Sequence, residues 1–463
     1  MRNLLSSKKE ILIIVLGALL VGAVTLVLAT LITRNVLFIA ALPFAAVAFL
    51  LMALNIRHMF IFILMTRACL DPVLMQTKIA GGAGGIGALL NLFVVVMAFL
   101  MVLRQPEVLK KNSTAIAWMV FLALAALTIF YSPQPKDTFK LLLNLSTYVA
   151  VFVVPFFIVK DKKDNRFWIK LILISSVIPI STANLGFITK LEILNADGRL
   201  SGFFTHANIL AFYTVFIIKV CFYVLRTRMF RLSPGVRLFA WLYILDLFAV
   251  LMITQTRSAW ISCVAMFLIY GLLKERKVLF VMVLAAGLLF SLPMVRERMA
   301  DLGQGTGARS GEKLNSWAWR VQLWKNAWPS IQERFLVGHG LGNFSYLSRD
   351  FAGYSAEKKW GVPAHNVYVE LLAETGIFGL LTYLSIYLTI LRKFFRRLKE
   401  KKDFLSREAA LIFSYVIGYL MASFSDNALY YLSFNWYFWF FLGVVLAGHA
   451  LEAKTTVAEL REG

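Results

Sequence analysis

Charge is scarce in this sequence. Only 16% of its 463 residues are Asp, Glu, Lys or Arg, where an ordinary soluble domain carries about 25%, and 60% are hydrophobic. A water-soluble fold is excluded, because most of its helices would have no polar face. Cysteine is as sparse: Cys69, Cys221 and Cys263 are an odd number, each inside an apolar segment, which excludes a disulfide scaffold and reads as core packing. No Asp-x-Asp pair, His-x-x-x-His, Gly-x-Ser-x-Gly or Walker lysine occurs on either face. Neither a bound transition metal nor nucleotide energy is therefore expected, and no cofactor is required.

What the chain has in abundance is uncharged runs of membrane-spanning length, such as Ile11 to Thr33 and Val36 to Leu54. About twenty apolar residues cross a bilayer as a helix, and only a helix closes all its backbone hydrogen bonds within one lipid-exposed segment. Fourteen such runs can be drawn: 11–33, 36–54, 59–75, 86–103, 114–131, 138–159, 167–183, 203–225, 238–255, 258–273, 278–293, 365–391, 409–424 and 429–448. The run at 59–75 is the weakest. The expectation is an all-α polytopic integral membrane bundle of 12 to 14 transmembrane helices. Residues 1–293 would hold the first eleven spans, 294–364 a large outer (periplasmic) loop with short helices, and 365–463 the last spans and a cytoplasmic tail. Arg2, Lys8 and Lys9 ahead of the first run have the charge order of a signal peptide. That run is too long and lacks a small-x-small cleavage site, so it is expected to stay as the first span.

The net charge of +23 has a topological meaning. With the amino end inside, the inner loops carry Arg57, Arg104, Lys110, Lys111, Lys160 to Arg166, Arg226 to Arg237, Lys274 to Lys277 and the dense run from Arg392 to Arg407. The short outer loops hold little beyond Arg34, Lys78, Lys136, Lys190, Arg199 and Arg257. This positive-inside bias places both termini in the cytoplasm and makes the basic runs contacts for anionic lipid rather than for nucleic acid. Between the eleventh and twelfth spans, residues 294–364 form an outer loop of about seventy residues, a length that usually signals function. Trp317, Val321, Trp324, Ala327 and Trp328 recur there at helical spacing, which predicts an amphipathic helix at the outer interface.

A sparse set of polar residues stands at outer span ends. Arg199 precedes Gly202-Phe203-Phe204-Thr205-His206-Ala207-Asn208, Arg257 lies in the short turn Thr254 to Ser258, and His365 and Asn366 follow Pro363 at the start of the twelfth span. A guanidinium at a membrane boundary is costly and has the fork that grips phosphate; it can instead snorkel to headgroups. A histidine there can accept a proton near neutral pH or merely cap its helix. Glu370 and Glu374 lie four apart on one helix face, placed to orient an arginine or histidine or to face a watery vestibule. Gly338-His339-Gly340-Leu341-Gly342-Asn343-Phe344 lacks a P-loop setting and reads as a tight turn, with His339 a second candidate histidine.

These segments, in this order, resemble the O-antigen ligase and O-antigen polymerase superfamily of bacterial envelope glycosyltransferases. The likeness rests on His365 followed after ten residues by Gly376 and then Gly379, on the turn Val337 to Phe344, on Arg320 and Trp324, on Arg199 with Gly202 and Asn208, and on Thr254 to Ser258. The resemblance implies a metal-independent, inverting transfer of a glycan from undecaprenyl diphosphate to an acceptor hydroxyl of lipid A core or a similar glycan. It places the enzyme in the bacterial cytoplasmic (inner) membrane, with the site facing the periplasm or exterior. In that scheme His365 is the general base, Arg199 and Arg257 hold the diphosphate, and His206, Asn208, Arg320, His339, Asn366, Glu370 and Glu374 support them. A polymerase differs only in its acceptor. A lipid-linked glycan transporter would spread charge through the membrane depth, where this chain has few charges: Arg67, Lys170, Lys219 and Asp246. Family ligases are commonly described with twelve spans, which would make 59–75 and one of the last two runs re-entrant or interfacial. Arg67 and Asp71 read first as a structural ion pair.

Overall fold

A computed structural model of the chain describes residues 56–71, 74, 86–189, 198–227, 229–291, 296, 316–352, 359–400 and 403–462. The runs expected at 11–33 and 36–54, and Arg2, Lys8, Lys9, Arg34, Lys78, Lys190 and Arg228, lie outside the described residues. The helices are α1 (Ile56–Arg67), α2 (Ile86–Arg104), α3 (Ser113–Leu127), α4 (Pro135–Val153), α5 (Lys162–Thr189), α6 (Ala207–Arg226) and α7 (Pro234–Ile253). They continue with α8 (Arg257–Leu273), α9 (Arg276–Ser291), α10 (Ser316–Glu333), α11 (Phe344–Phe351), α12 (Val367–Leu398), α13 (Asp403–Ser425) and α14 (Leu432–Glu462). Nine helices among the described residues are long and apolar enough to cross a membrane. The protein is an all-helical integral membrane protein.

Helix starts follow from local chemistry. Asn112 accepts from the Ala115 N–H ahead of α3, and Ser233 with Pro234 opens α7. α6 and α14 form the centre, with Tyr213, Phe216, Tyr223, Trp436, Tyr437 and Trp439 almost fully buried. α2 and α7 lie at the edge and turn Leu89, Phe99, Leu103, Leu238, Phe239 and Leu245 outward, the apolar exposure that lipid requires and water penalises.

Two expectations about spans change. α1 has 12 residues, roughly 18 Å at the α-helical rise, short of the ~30 Å hydrocarbon core. By contrast both of the last two runs become helices of spanning length, Phe404–Ser425 and Leu432–Glu452, so neither is re-entrant by length. At the end of α1, Arg67 pairs with Asp71 at 3.2 Å, each 2% exposed, with Ser433 donating to Asp71 and Trp436 stacked under the guanidinium.

α12 is broken at Gly376, whose φ of 66° and ψ of −172° lie outside the helical region. A break inside a membrane helix frees backbone groups that must find partners, and the glycine turn supplies them. His339 N–H donates to the Ala373 carbonyl at 2.9 Å, Gly340 N–H to Glu374 O at 2.8 Å, and Ile377 N–H to Phe335 O at 2.9 Å. A Cβ on Gly376 would run into the Leu336 carbonyl, and one on Gly338 into that of Glu374. The turn is tight because it docks on this break. Gly376→Ala should therefore lower the thermal unfolding midpoint in detergent through the combined cost of a positive φ, about 1–3 kcal/mol, and a backbone clash. Gly287→Ala on α9, where a Cβ meets nothing within 4 Å, should be neutral or slightly stabilising. Equal midpoints for the two variants would refute this account of the break.

Candidate functional site

The connections 198–206, 254–256 and 426–431, the segment 359–366 and helix α10 meet at one end of the bundle, and a single carboxylate ties them together. Asp426, fully buried between α13 and α14, accepts from Asn208 Nδ2 at 2.7 Å and Ser258 Oγ at 3.1 Å on one oxygen. Its other oxygen accepts from the Asn427 N–H at 2.8 Å and from Tyr431 OH. Four donors on two oxygens suit an ionised carboxylate, which only accepts.

Arg199 is held beside this hub. Its Nε donates to the Thr254 carbonyl at 2.9 Å, and its Nη2 to Asn208 Oδ1 and Thr256 Oγ1, each at 2.7 Å. Asn208 thus bridges Arg199 to Asp426. Arg257 starts α8 one residue before Ser258 and is partly buried. Arg320 reaches across from α10, donating from Nη1 to the Ser425 carbonyl at 2.6 Å. Burial lowers the Arg320 pKa and Arg257 adds to that, while Asp426 and Tyr431 oppose it. Three guanidinium groups therefore share a region with the Asp426 carboxylate.

His365 completes the group. Its backbone has a φ of 50°, a left-handed conformation that a non-glycine residue adopts only when its surroundings enforce it. Two neighbours do so. Glu370 Oε2 accepts the Ala364 N–H at 3.0 Å, and Asn366 caps α12 by accepting from the Tyr368 and Val369 N–H groups at 2.9 and 3.2 Å. The ring stands edge-on to Trp319, 5.8 Å between centroids, and its Nδ1 is buried without a hydrogen-bond partner among the described residues. Burial first, then the Arg320 cation, push its pKa down to about 4; Asp426 acts in the opposite direction, and His206 adds slightly to the lowering. The imidazole is neutral at pH 7 and able to accept a proton.

Other candidates take different places. His206 caps α6, its Nδ1 accepting from the Asn208 N–H at 3.1 Å, so it positions Asn208 while remaining exposed. His339 Nε2 bonds the Ser330 carbonyl at 2.7 Å and ties the glycine turn to α10 rather than entering the arginine cluster. Glu370 and Glu374 face no vestibule: they are 6% and 1% exposed. Glu374 accepts from the Phe344 N–H and Tyr430 OH, both at 3.0 Å, so both carboxylates satisfy backbone donors of the loop. α10 exists as expected, but its buried stripe is Leu323, Ala327 and Ile331, packed on Phe344, Ala364 and Ala373. Trp317 and Trp328 are exposed, whereas Trp324 donates to the Ala364 carbonyl at 2.7 Å beside His365.

Residues 239–384, which hold Arg257, Arg320 and His365, match the family model described as O-antigen ligase. That stretch is similar to the O-antigen ligase family. The contacts of the matched stretch reach beyond it, to Arg199, Asn208 and Asp426. The chain is also 34% identical over 130 residues to the teichuronic acid biosynthesis protein TuaE of Bacillus subtilis (strain 168), covering 27% of this chain and 26% of that protein. It is 24% identical over 156 residues to the ComP-specific O-oligosaccharyltransferase of Acinetobacter baylyi (strain ATCC 33305 / BD413 / ADP1), covering 32% and 28%. The chain thus spans only about a quarter of the length of these relatives.

Proposed function

We propose that this protein transfers a glycan from undecaprenyl diphosphate to an acceptor hydroxyl, lipid A core or a similar glycan, at the outer face of the bacterial inner membrane. The observation that carries the reading is the meeting of Arg199, Arg257 and Arg320 with an unprotonated His365 around Asp426. In the proposed reaction the acceptor oxygen attacks the anomeric carbon from the side opposite the diphosphate, the bond from carbon to diphosphate breaks, and the configuration inverts. The acceptor proton passes to His365, and the charge growing on the departing diphosphate falls on the guanidinium groups, preorganised donors that need no reorganisation at that moment. A diphosphate leaves without help from an acid, so one base and several cations suffice and the step requires no metal. Three of the four deep charges support an enzyme over a transporter, since each is taken up by a neighbour. Arg67 pairs with Asp71, Lys219 donates to Ser414 at 2.9 Å, and Asp246 accepts from Asn184 at 2.8 Å.

The acceptor separates ligase from polymerase. A deletion strain that accumulates carrier-linked polymer while losing capped acceptor marks a ligase; accumulation of single carrier-linked repeat units marks a polymerase, and an unchanged surface glycan removes the proposal. Within the site, Arg257→Lys should lower transfer by roughly 10- to 100-fold, because an ammonium cannot reproduce a two-point grip on phosphate. Wild-type turnover in that variant would make Arg257 a lipid contact.

A further inference from the structure

The opposite end of the bundle, on the face of the basic loops, holds a cavity of about 470 Å³, within the range of small-molecule sites. Its lining includes the far ends of α13 and α14, the two helices that flank Asp426. Two buried polar atoms there lack partners among the described residues. Asn165, 2% exposed, donates from Nδ2 to the Val444 carbonyl at 2.8 Å, but its Oδ1 accepts nothing from the described residues. His449, 5% exposed, turns Nε2 to Glu408 Oε2 at 3.1 Å, and its Nδ1 has no partner among the described residues. Glu408 is buried beside it and accepts from Tyr223 OH. A buried polar atom without a partner costs about 1–3 kcal/mol, so two around one cavity, Asn165 Oδ1 and His449 Nδ1, call for a ligand that brings its own donors.

The remaining lining supplies the opposite character. Arg166 and Arg231 also line the cavity, and among the described residues neither is ion-paired. Of the carboxylates beside them, Glu452 pairs with Lys162 at 3.3 Å, and Asp161 accepts the Asp164 N–H at 2.7 Å. Arg166 Nε donates to the Lys162 carbonyl at 3.2 Å, and the two guanidinium groups line the same cavity as acceptors that await hydroxyl donors; the complement of both is a phosphate carrying a polyol. Phe404, 40% exposed, and Met229 add an apolar wall along which an acyl chain can lie.

The geometry points to a polyol-phosphate site here, independent of the transfer reaction, filled either by a glycerol phospholipid headgroup or by a soluble polyol phosphate. Two arms separate the sources in the full chain. Native mass spectrometry after release from phosphatidylcholine nanodiscs with and without phosphatidylglycerol reads the lipid, and thermal unfolding in detergent with sn-glycerol 3-phosphate reads the soluble form. Retention of phosphatidylglycerol, or a stabilising shift with sn-glycerol 3-phosphate, is expected in the wild type. Binding should fall roughly tenfold or more in Arg166→Ala/Arg231→Ala, given the strength of charge-assisted hydrogen bonds, and likewise in His449→Phe. The arginine variant alters the rim alone, so it decides the matter if His449→Phe does not fold. No binding of either probe, binding unchanged in the arginine variant, or an equal shift with inorganic phosphate overturns the proposal.

Discussion

His365→Ala should lower glycan transfer by roughly 10²- to 10⁴-fold, the usual contribution of a positioned general base, while leaving protein level and donor binding close to wild type. The expectation follows from the way the residue is held. Glu370 fixes the preceding Ala364 N–H and Asn366 fixes the following turn, so the truncation removes the ring without loosening the backbone that carries it. Donor binding persists because the arginines hang on other supports: Arg199 on Thr254, Asn208 and Thr256, and Arg320 on Ser425. The measurement is transfer from a polyprenyl diphosphate-linked glycan in detergent, with donor affinity read separately. Full activity would remove the general-base role, and a matching loss of donor affinity would move His365 into the binding machinery.

The pH dependence of the same residue carries a sign. With its pKa lowered to about 4 in the free protein, below the ordinary value near 6.5, His365 stays unprotonated across the neutral range and loses base function only as pH falls through that value. The acid limb of kcat/KM, which reports free enzyme, should therefore lie near pH 4. Part of the lowering comes from the Arg320 cation, and a bound diphosphate would offset that charge. The acid limb of kcat should then lie at higher pH, where a stronger base is available for the chemical step.

The parts of the candidate site that follow a local pattern were legible in the sequence. Arg199, Arg257 and His365 each stand beside a long apolar run, where a cation or an imidazole is conspicuous, and Gly376 follows His365 at a recognisable interval. Asp426 was not legible. It is a lone acidic residue in a short connection, and its place at the hub depends on Asn208 and Ser258, 218 and 168 residues away in sequence, a relation that no local spacing encodes. A signal was present, since outer connections hold few carboxylates, but nothing ranked it above a solvated loop residue. The face of α10 was misread for a similar reason. Trp317 and Trp328 share helical spacing with Leu323, Ala327 and Ile331, and hydrophobicity alone favours the tryptophans, yet the surface of α12 and the segment before His365 accommodate the smaller side chains. The pairing of Gly338 and Gly376 shows the limit from the other side: each glycine looks like an isolated turn residue until the two backbones are brought together.

Asp426 supplies the second large expected effect. Its two oxygens serve separate pairs of donors, Asn208 with Ser258 and Asn427 N–H with Tyr431. In Asp426→Asn, whichever way the amide turns, one pair of donors meets an NH2 group. In Asp426→Ala all four lose their acceptor, and buried donors left unpaired cost about 1–3 kcal/mol each before relaxation. Thermal stability in detergent should therefore fall in the order wild type, Asn, Ala, with a loss of roughly 3–5 kcal/mol for Ala, as for breaking a buried charge network. Activity should fall further than stability explains, because the Asn208 that Asp426 anchors is also an acceptor for Arg199. A purely structural carboxylate would not move the base, whereas Asp426 raises the His365 pKa. Its removal should shift the acid limb of kcat/KM to still lower pH in the surviving Asn variant. An acid limb that stays in place, with donor KM unchanged, would confine Asp426 to holding the helices together.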